Sequence, residues 1–385
     1  MPIETTSPIE SETAAETWLP EVLGFSSGTA LESLRSRFVL LVSERWGAWI
    51  GAFTLADPEA GERLQSRVSD LPVEALCRIL LAPESIRRLL WRSGEKADRE
   101  ESARFFVRAV EVERAFSGLD HQLDEVVWSA MGDRHCLSPA PYTAGCGDLP
   151  RLVIGDPATR LPSAPTSGDP PEPWPTLPAL VEQLQEAQEH LRATDPRLAD
   201  FARDWNTTLV LRRVASRQGF QSSSPERYVG RSILWNPDDP AVGTDALAEA
   251  MIHEGLHTVF DMADALLSRV TPPRARWVTE PMLYDGVSRT ISPWTGRPLD
   301  VPTYVHAFLV WFGLLTLWAK VASRGTFEPP IARGRLLRAG APFATRTAFT
   351  PLEPFAGRIR SDVKDLMRQL EEQASQAFRH LAGER

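Results

Sequence analysis

The sequence predicts an α+β chain that is predominantly helical, with a helical N-terminal region and a small sheet beside one long helix. Three observations predict it. Apolar residues recur at helical spacing through residues 29 to 131, first as Leu31, Leu34, Phe38 and Leu41, later as Phe105, Ala109, Val112 and Phe116. Two short runs rich in β-branched and aliphatic residues, Thr207 to Val214 and Tyr228 to Trp235, read as strands. A periodic stretch then starts at Thr244 or Asp245, either of which can cap it, and runs to about Leu267 before Pro272-Pro273 stops it.

The other segments follow in order. Residues 1–12 are acidic and rich in Ser and Thr, the composition of a disordered terminus, and 13–136 form the helical N-terminal domain. Residues 137–176 read as a Pro-rich linker with a short strand at Leu152 to Ile154. The density of Pro, Ser, Thr and Gly from Arg160 to Pro175 forbids a helix or a central strand there. The metal-binding catalytic domain is expected over 177–385. It opens with a helix at 177–192 that has Leu177, Leu180, Leu184 and Ala187 on one face. Gln221-Ser222-Ser223-Ser224-Pro225 reads as a loop between the two strands, and Asn236-Pro237-Asp238-Asp239-Pro240 ends the second, because proline cannot donate to a ladder. A last helix is expected at about 355–381.

Composition narrows the function classes. The 385 residues are 43% hydrophobic and 24% charged, ordinary for a globular protein. A net charge of −9 argues against nucleic-acid binding, which needs a clustered positive surface, and Arg333, Arg335 and Arg338 read as a solvated face. Cys77, Cys136 and Cys146 are too few and too scattered for a disulfide framework or a four-thiolate zinc site. The first residues lack the basic and apolar regions of a signal peptide. The most apolar run, Phe308 to Ala319, falls short of the roughly 20 residues a bilayer needs and reads as a buried core helix. The expectation is a cytoplasmic protein with no membrane partner.

The chemistry-bearing motif is His253-Glu254-Gly255-Leu256-His257. Two histidines four residues apart on a helix turn by about 400° and rise about 6 Å, so both imidazoles share a face and can chelate one divalent ion. Glu254 lies next to the open coordination position, where it can deprotonate a water or orient another ligand. Leu247, Met251, Val259, Met262 and Leu266 give the helix an apolar side, which places a zincin-like metal helix beside the small sheet.

The third ligand decides the chemistry. An extended metzincin motif is excluded, because Phe260 and Ala263 stand where glycine and histidine are needed. Glu280 has the spacing of a gluzincin ligand, although Pro281 confines it to a helix start. Asp261 and Asp264 offer carboxylates further along the metal helix. His306 begins the apolar helix, where a buried imidazole needs partners for its nitrogens and a metal supplies one.

The stretch from Gln221-Ser222-Ser223-Ser224 through Gly230, the His253-Glu254-x-x-His257 helix, Ser292-Pro293-Trp294, Arg297-Pro298 and His306-Ala307-Phe308 resembles the HExxH-type peptide-modification family. These proteins accompany ribosomally synthesised, post-translationally modified peptides, and members are described as iron(II)- and 2-oxoglutarate-dependent peptide β-hydroxylases. The resemblance covers roughly residues 205 to 320. It implies a metal shell of His253, His257 and His306. It offers Arg297 as the anchor for the cosubstrate's carboxylate, because a guanidinium grips a carboxylate with two hydrogen bonds. Ser222, Ser224, Trp294 and Tyr304 would line the pocket for a precursor-peptide substrate, with Glu254 orienting a histidine or water.

The leading expectation is therefore iron(II)/2-oxoglutarate-dependent hydroxylation of a side-chain β-carbon in a ribosomally made precursor peptide. Two alternatives stay open. One is a zinc metallopeptidase with Glu254 as general base, since three neutral imidazoles suit zinc equally. The other is a non-catalytic peptide-maturation scaffold holding a structural metal.

Overall fold

The computed structural model of the protein describes residues 15–26, 28–91, 96–120, 127–128, 136–138, 149–154, 177–214, 219–267 and 289–381. Residues 1–12, the Pro-rich run at 160–175 and Glu280 lie outside them, so the expectations placed there lie outside the described residues. The described chain is mostly helical with a small mixed sheet. It divides into two compact units. One comprises Met1–Phe38, His190–Ala199 and Val259–Arg385, and the other Val39–Glu189 and Asp200–Thr258.

The helices before the sheet are α1 (Ala15–Leu23), α2 (Thr29–Ala56), α3 (Pro58–Ser69), α4 (Val73–Leu80), α5 (Pro83–Leu90) and α6 (Lys96–Phe116). Their boundaries follow local chemistry. The Asp57 side chain accepts from the Ala60 backbone N–H and Pro58 opens α3, a capped start that pre-sets the first turn. Trp46 and Trp49 of α2 stack with ring centroids 5.1 Å apart, and Phe106 of α6 packs against both. The helical periodicity expected as far as residue 131 ends at Phe116, and Val127–Trp128 is a strand.

That strand, β1, belongs to a six-stranded sheet with β2 (Cys136–Ser138), β3 (Arg151–Ile154), β4 (Thr208–Arg212), β5 (Gln221–Ser223) and β6 (Arg231–Trp235), in the order β1-β2-β3-β4-β6-β5. Strands β2, β3, β4 and β6 run parallel, while β1 and β5 pair antiparallel at the edges. All five residues of β6 are buried, the pattern of a parallel strand covered on both faces. Val153, Val210, Ile233 and Trp235 make the apolar cluster on one of them.

The Gln221 to Ser223 stretch, read from sequence as loop, is thus a short edge strand on β6. Its polar residues carry no apolar alternation because an edge needs none, and polar edges discourage further pairing. Gly230 starts β6 at φ +90°, and a Cβ there would come 2.5 Å from Thr207 Oγ1, so only glycine fits the turn into the strand.

Two helices, α7 (Leu177–Thr194) and α8 (Pro196–Trp205), separate β3 from β4, and α9 (Thr244–Leu267) follows β6. Then come the hairpin β7 (Arg289–Ile291) and β8 (Pro298–Asp300), and the helices α10 (Val301–Arg324), α11 (Pro329–Ala344) and α12 (Ser361–Leu381). Helix α10 is long and apolar enough by composition to cross a membrane, and 67% of its apolar window is buried. The Asp300 side chain caps its start through Thr303 N–H, and Gly325 in the left-handed region ends it. The final helix starts later than the expected 355. Pro351 and Pro354 lie in a 3-10 segment at Thr350–Arg358, where proline's missing N–H and fixed φ are tolerated, and α12 begins after it.

Candidate metal centre

Helix α9 matches its expected span, and its N-terminal half carries the two histidines. Asp245 in its first turn complements the helix dipole. Met251, Ile252, Leu256 and Val259 are fully buried, which fixes the rotation of the helix about its axis. A polar clamp fixes its height. The Asn206 amide donates to the carbonyls of Ala202 (2.6 Å) and Met251 (2.7 Å), and Ser232 of β6 donates to the Asn206 carbonyl oxygen. Gly255 lets α9 approach α8, since a Cβ there would come 2.9 Å from the Phe201 ring.

The result is a half-buried pair of imidazoles, His253 and His257, with ring centroids 5.0 Å apart. Glu254 is only 1% exposed, and its Oε2 accepts from Ser224 Oγ at 2.6 Å. Its Oε1 lies 3.9 Å from His253 Nε2 and is buried with no hydrogen bond among the described residues. A buried carboxylate oxygen left in that state is costly unless positive charge stands nearby. Two chelating imidazoles and an adjoining buried carboxylate therefore suit a divalent cation.

Other sequence-selected residues fall in the opposite unit. His306, in the second turn of α10, is 3% exposed, with Nε2 3.9 Å from Asp264 Oδ2 and its ring 5.2 Å from that of Phe260. Donor atoms of Asp261, Asp264 and His306 all lie within 4.8 Å of one another. Among the described residues this is the set of three or more metal-ligand side chains so gathered. His253 and His257 belong to one compact unit and His306 to the other.

Arg297 is exposed on the turn between β7 and β8. Trp294 stacks on Trp311 at 5.8 Å and donates through Nε1 to the Ala339 carbonyl at 3.0 Å. Tyr304 is fully buried, its hydroxyl donating to the Ala348 carbonyl at 2.7 Å, and burial raises its phenol above the usual range. Ser222 is half-buried on β5, paired in register with Leu234.

Sequence reasoning assigned no role to Asn206. Its signal is a lone amide at the junction of a helix and a strand, a place where a side chain commonly satisfies backbone groups.

No protein-family model and no curated protein matches the chain.

Proposed function

We propose that this protein is an iron(II)- and 2-oxoglutarate-dependent hydroxylase acting on a side chain of a ribosomally made peptide, with the metal held by His253 and His257 on a zincin-like helix. The observation that carries the reading is the position of Glu254. A general base in a zinc peptidase must reach the attacking water from an accessible position. Here the carboxylate is buried and held by Ser224, which suits a group that orients a metal ligand rather than one that exchanges protons with substrate. Bound iron(II) with 2-oxoglutarate would supply the oxidising power to hydroxylate an unactivated C–H bond.

The chain's own residues do the rest. The clamp of Asn206 and Ser232 on α9 sets the direction of both imidazoles. Glu254, held by Ser224 beside the imidazoles, lowers the electrostatic cost of the cation. The resemblance's third ligand, His306, lies beside Asp261 and Asp264 in the other compact unit. Arg297 is the resemblance's candidate for the cosubstrate's far carboxylate, and its exposure leaves the guanidinium accessible to an incoming dianion. The peptide as substrate class comes from the resemblance alone.

The test is turnover of 2-oxoglutarate. Protein loaded anaerobically with iron(II) and then given oxygen is expected to form succinate, slowly without peptide, while zinc-loaded protein forms none. Peptide cleavage by the zinc form with no succinate from the iron form would replace this reading with the peptidase.

Ser224→Ala provides a second check. Losing the hydroxyl that holds Glu254 is expected to weaken iron binding and succinate formation by about 10- to 100-fold, the range for partners that orient metal ligands. Metal titration and initial rates measure it, and an unchanged variant would remove Glu254 from the account.

A further inference from the structure

We infer that Asp261, Asp264 and His306 form a second divalent-cation site, separate from the His253–His257 pair. Asp261 and Asp264 are three residues apart on α9, hence neighbours on its surface, and His306 faces them from α10. All three belong to the same compact unit. Their exposures are 7%, 7% and 3%, so the group is withdrawn from water. Phe260, Tyr304 and Val305, each 0% exposed, adjoin them in sequence.

The separations fit a shared ion. His306 Nε2 and Asp264 Oδ2 stand 3.9 Å apart. One ion bonded to both at about 2.1 Å spans that gap with an open bond angle. The 4.8 Å limit on the remaining separations lies just above the roughly 4.2 Å that two such bonds can cover, so the donors converge with small side-chain rotations.

Charge points the same way. Two carboxylates buried within this distance repel each other, and burial penalises each. A divalent ion offsets both effects, and the imidazole completes three ligands of the kind that manganese(II), iron(II) and zinc accept. Such an ion would tie the C-terminal half of α9 to the start of α10.

Equilibrium dialysis of the full chain against manganese(II), followed by metal analysis, tests the inference. Wild type is expected to hold two equivalents, and the His253→Ala/His257→Ala double variant to keep one. Adding Asp264→Asn, or separately His306→Ala, to that double variant is expected to weaken the remaining site by more than about 100-fold. Misfolding is separated by melting in metal-free buffer. There Asp264→Asn should melt no lower than its parent, while losing the rise in melting temperature that manganese gives the parent.

A double variant that retains no metal, or an Asp264→Asn variant that binds as its parent does, would overturn the inference. Wild type with one equivalent that survives loss of both histidines would leave it standing and overturn the His253–His257 metal. One equivalent that the double variant loses would do the reverse.

Discussion

Replacing either His253 or His257 with alanine is expected to lower iron affinity by more than about 100-fold, and to abolish succinate formation at micromolar iron. That is beyond the upper end of what losing an outer partner of a ligand costs. The reason is chelation. The helix holds the two rings with centroids 5.0 Å apart before metal arrives, so the second bond forms without ordering another segment. Removing one ring also leaves the buried Glu254 oxygen beside a vacated position. The effects should therefore be non-additive, with the double variant little worse at this site than either single one. Both rings are half-buried, so the variants should fold and melt close to wild type without metal, which calorimetry with chelator present would verify. Two modest and additive losses would mean that the histidines do not share an ion.

The second large effect concerns stability in the unit that contains the sheet. Glu84 of α5 is 3% exposed and forms an ion pair with Arg231 of β6, itself 0% exposed, with Arg151 of β3 4.0 Å away. The Arg231 guanidinium also lies 3.8 Å over the Tyr228 ring. Glu84→Ala leaves buried cationic charge without that carboxylate, and breaking a buried pair in this way costs about 3–5 kcal/mol. In a unit of this size that lowers the melting temperature by on the order of 10 °C.

The same pair sets a pH dependence. Burial works against the Glu84 charge, but the attraction of Arg231 and Arg151 and the hydrogen bond from Arg231 outweigh it, so its carboxyl titrates below the usual value. A carboxyl depressed by folding adds stability that is fully present above its unfolded pKa, about 4.3, and is lost as pH falls through the lower folded value. Melting followed from pH 6 downward should show this acid loss in wild type and a shallower one in Glu84→Gln. Parallel curves would contradict the assignment.

Much of helix α9 was legible in sequence because its determinants are local. A capping residue, a 3.6-residue apolar period and a histidine pair within one turn all act over a few positions, and α9 runs as they dictate. Strands β4 and β6 were legible for the same reason, since runs of β-branched and aliphatic residues mark both and prolines end the second. The edge strand β5 was not, because Gln221, Ser222 and Ser223 owe their conformation to pairing with β6 and have no pattern of their own.

The tertiary pairings were hidden too. Asp264 read as one of two carboxylates further along the helix and His306 as a buried imidazole at the start of another, and neither signal contains the other's position 42 residues away. Glu84 and Arg231 are 147 residues apart, and a charged residue opening a buried strand looks in sequence like a strand boundary. Ser224 was selected as a pocket residue from the resemblance, whereas its hydroxyl is held on Glu254, a contact that depends on how the β5 edge meets α9.

The most direct measurement is the visible spectrum of the protein reconstituted anaerobically with one equivalent of iron(II) and titrated with 2-oxoglutarate. Chelation of the metal by the keto acid is expected to raise a weak charge-transfer band that saturates with the cosubstrate and is absent from the His253→Ala/His257→Ala variant. Stoichiometric iron with no such band, or an equal band in the variant, would contradict an oxygenase centred on these two imidazoles.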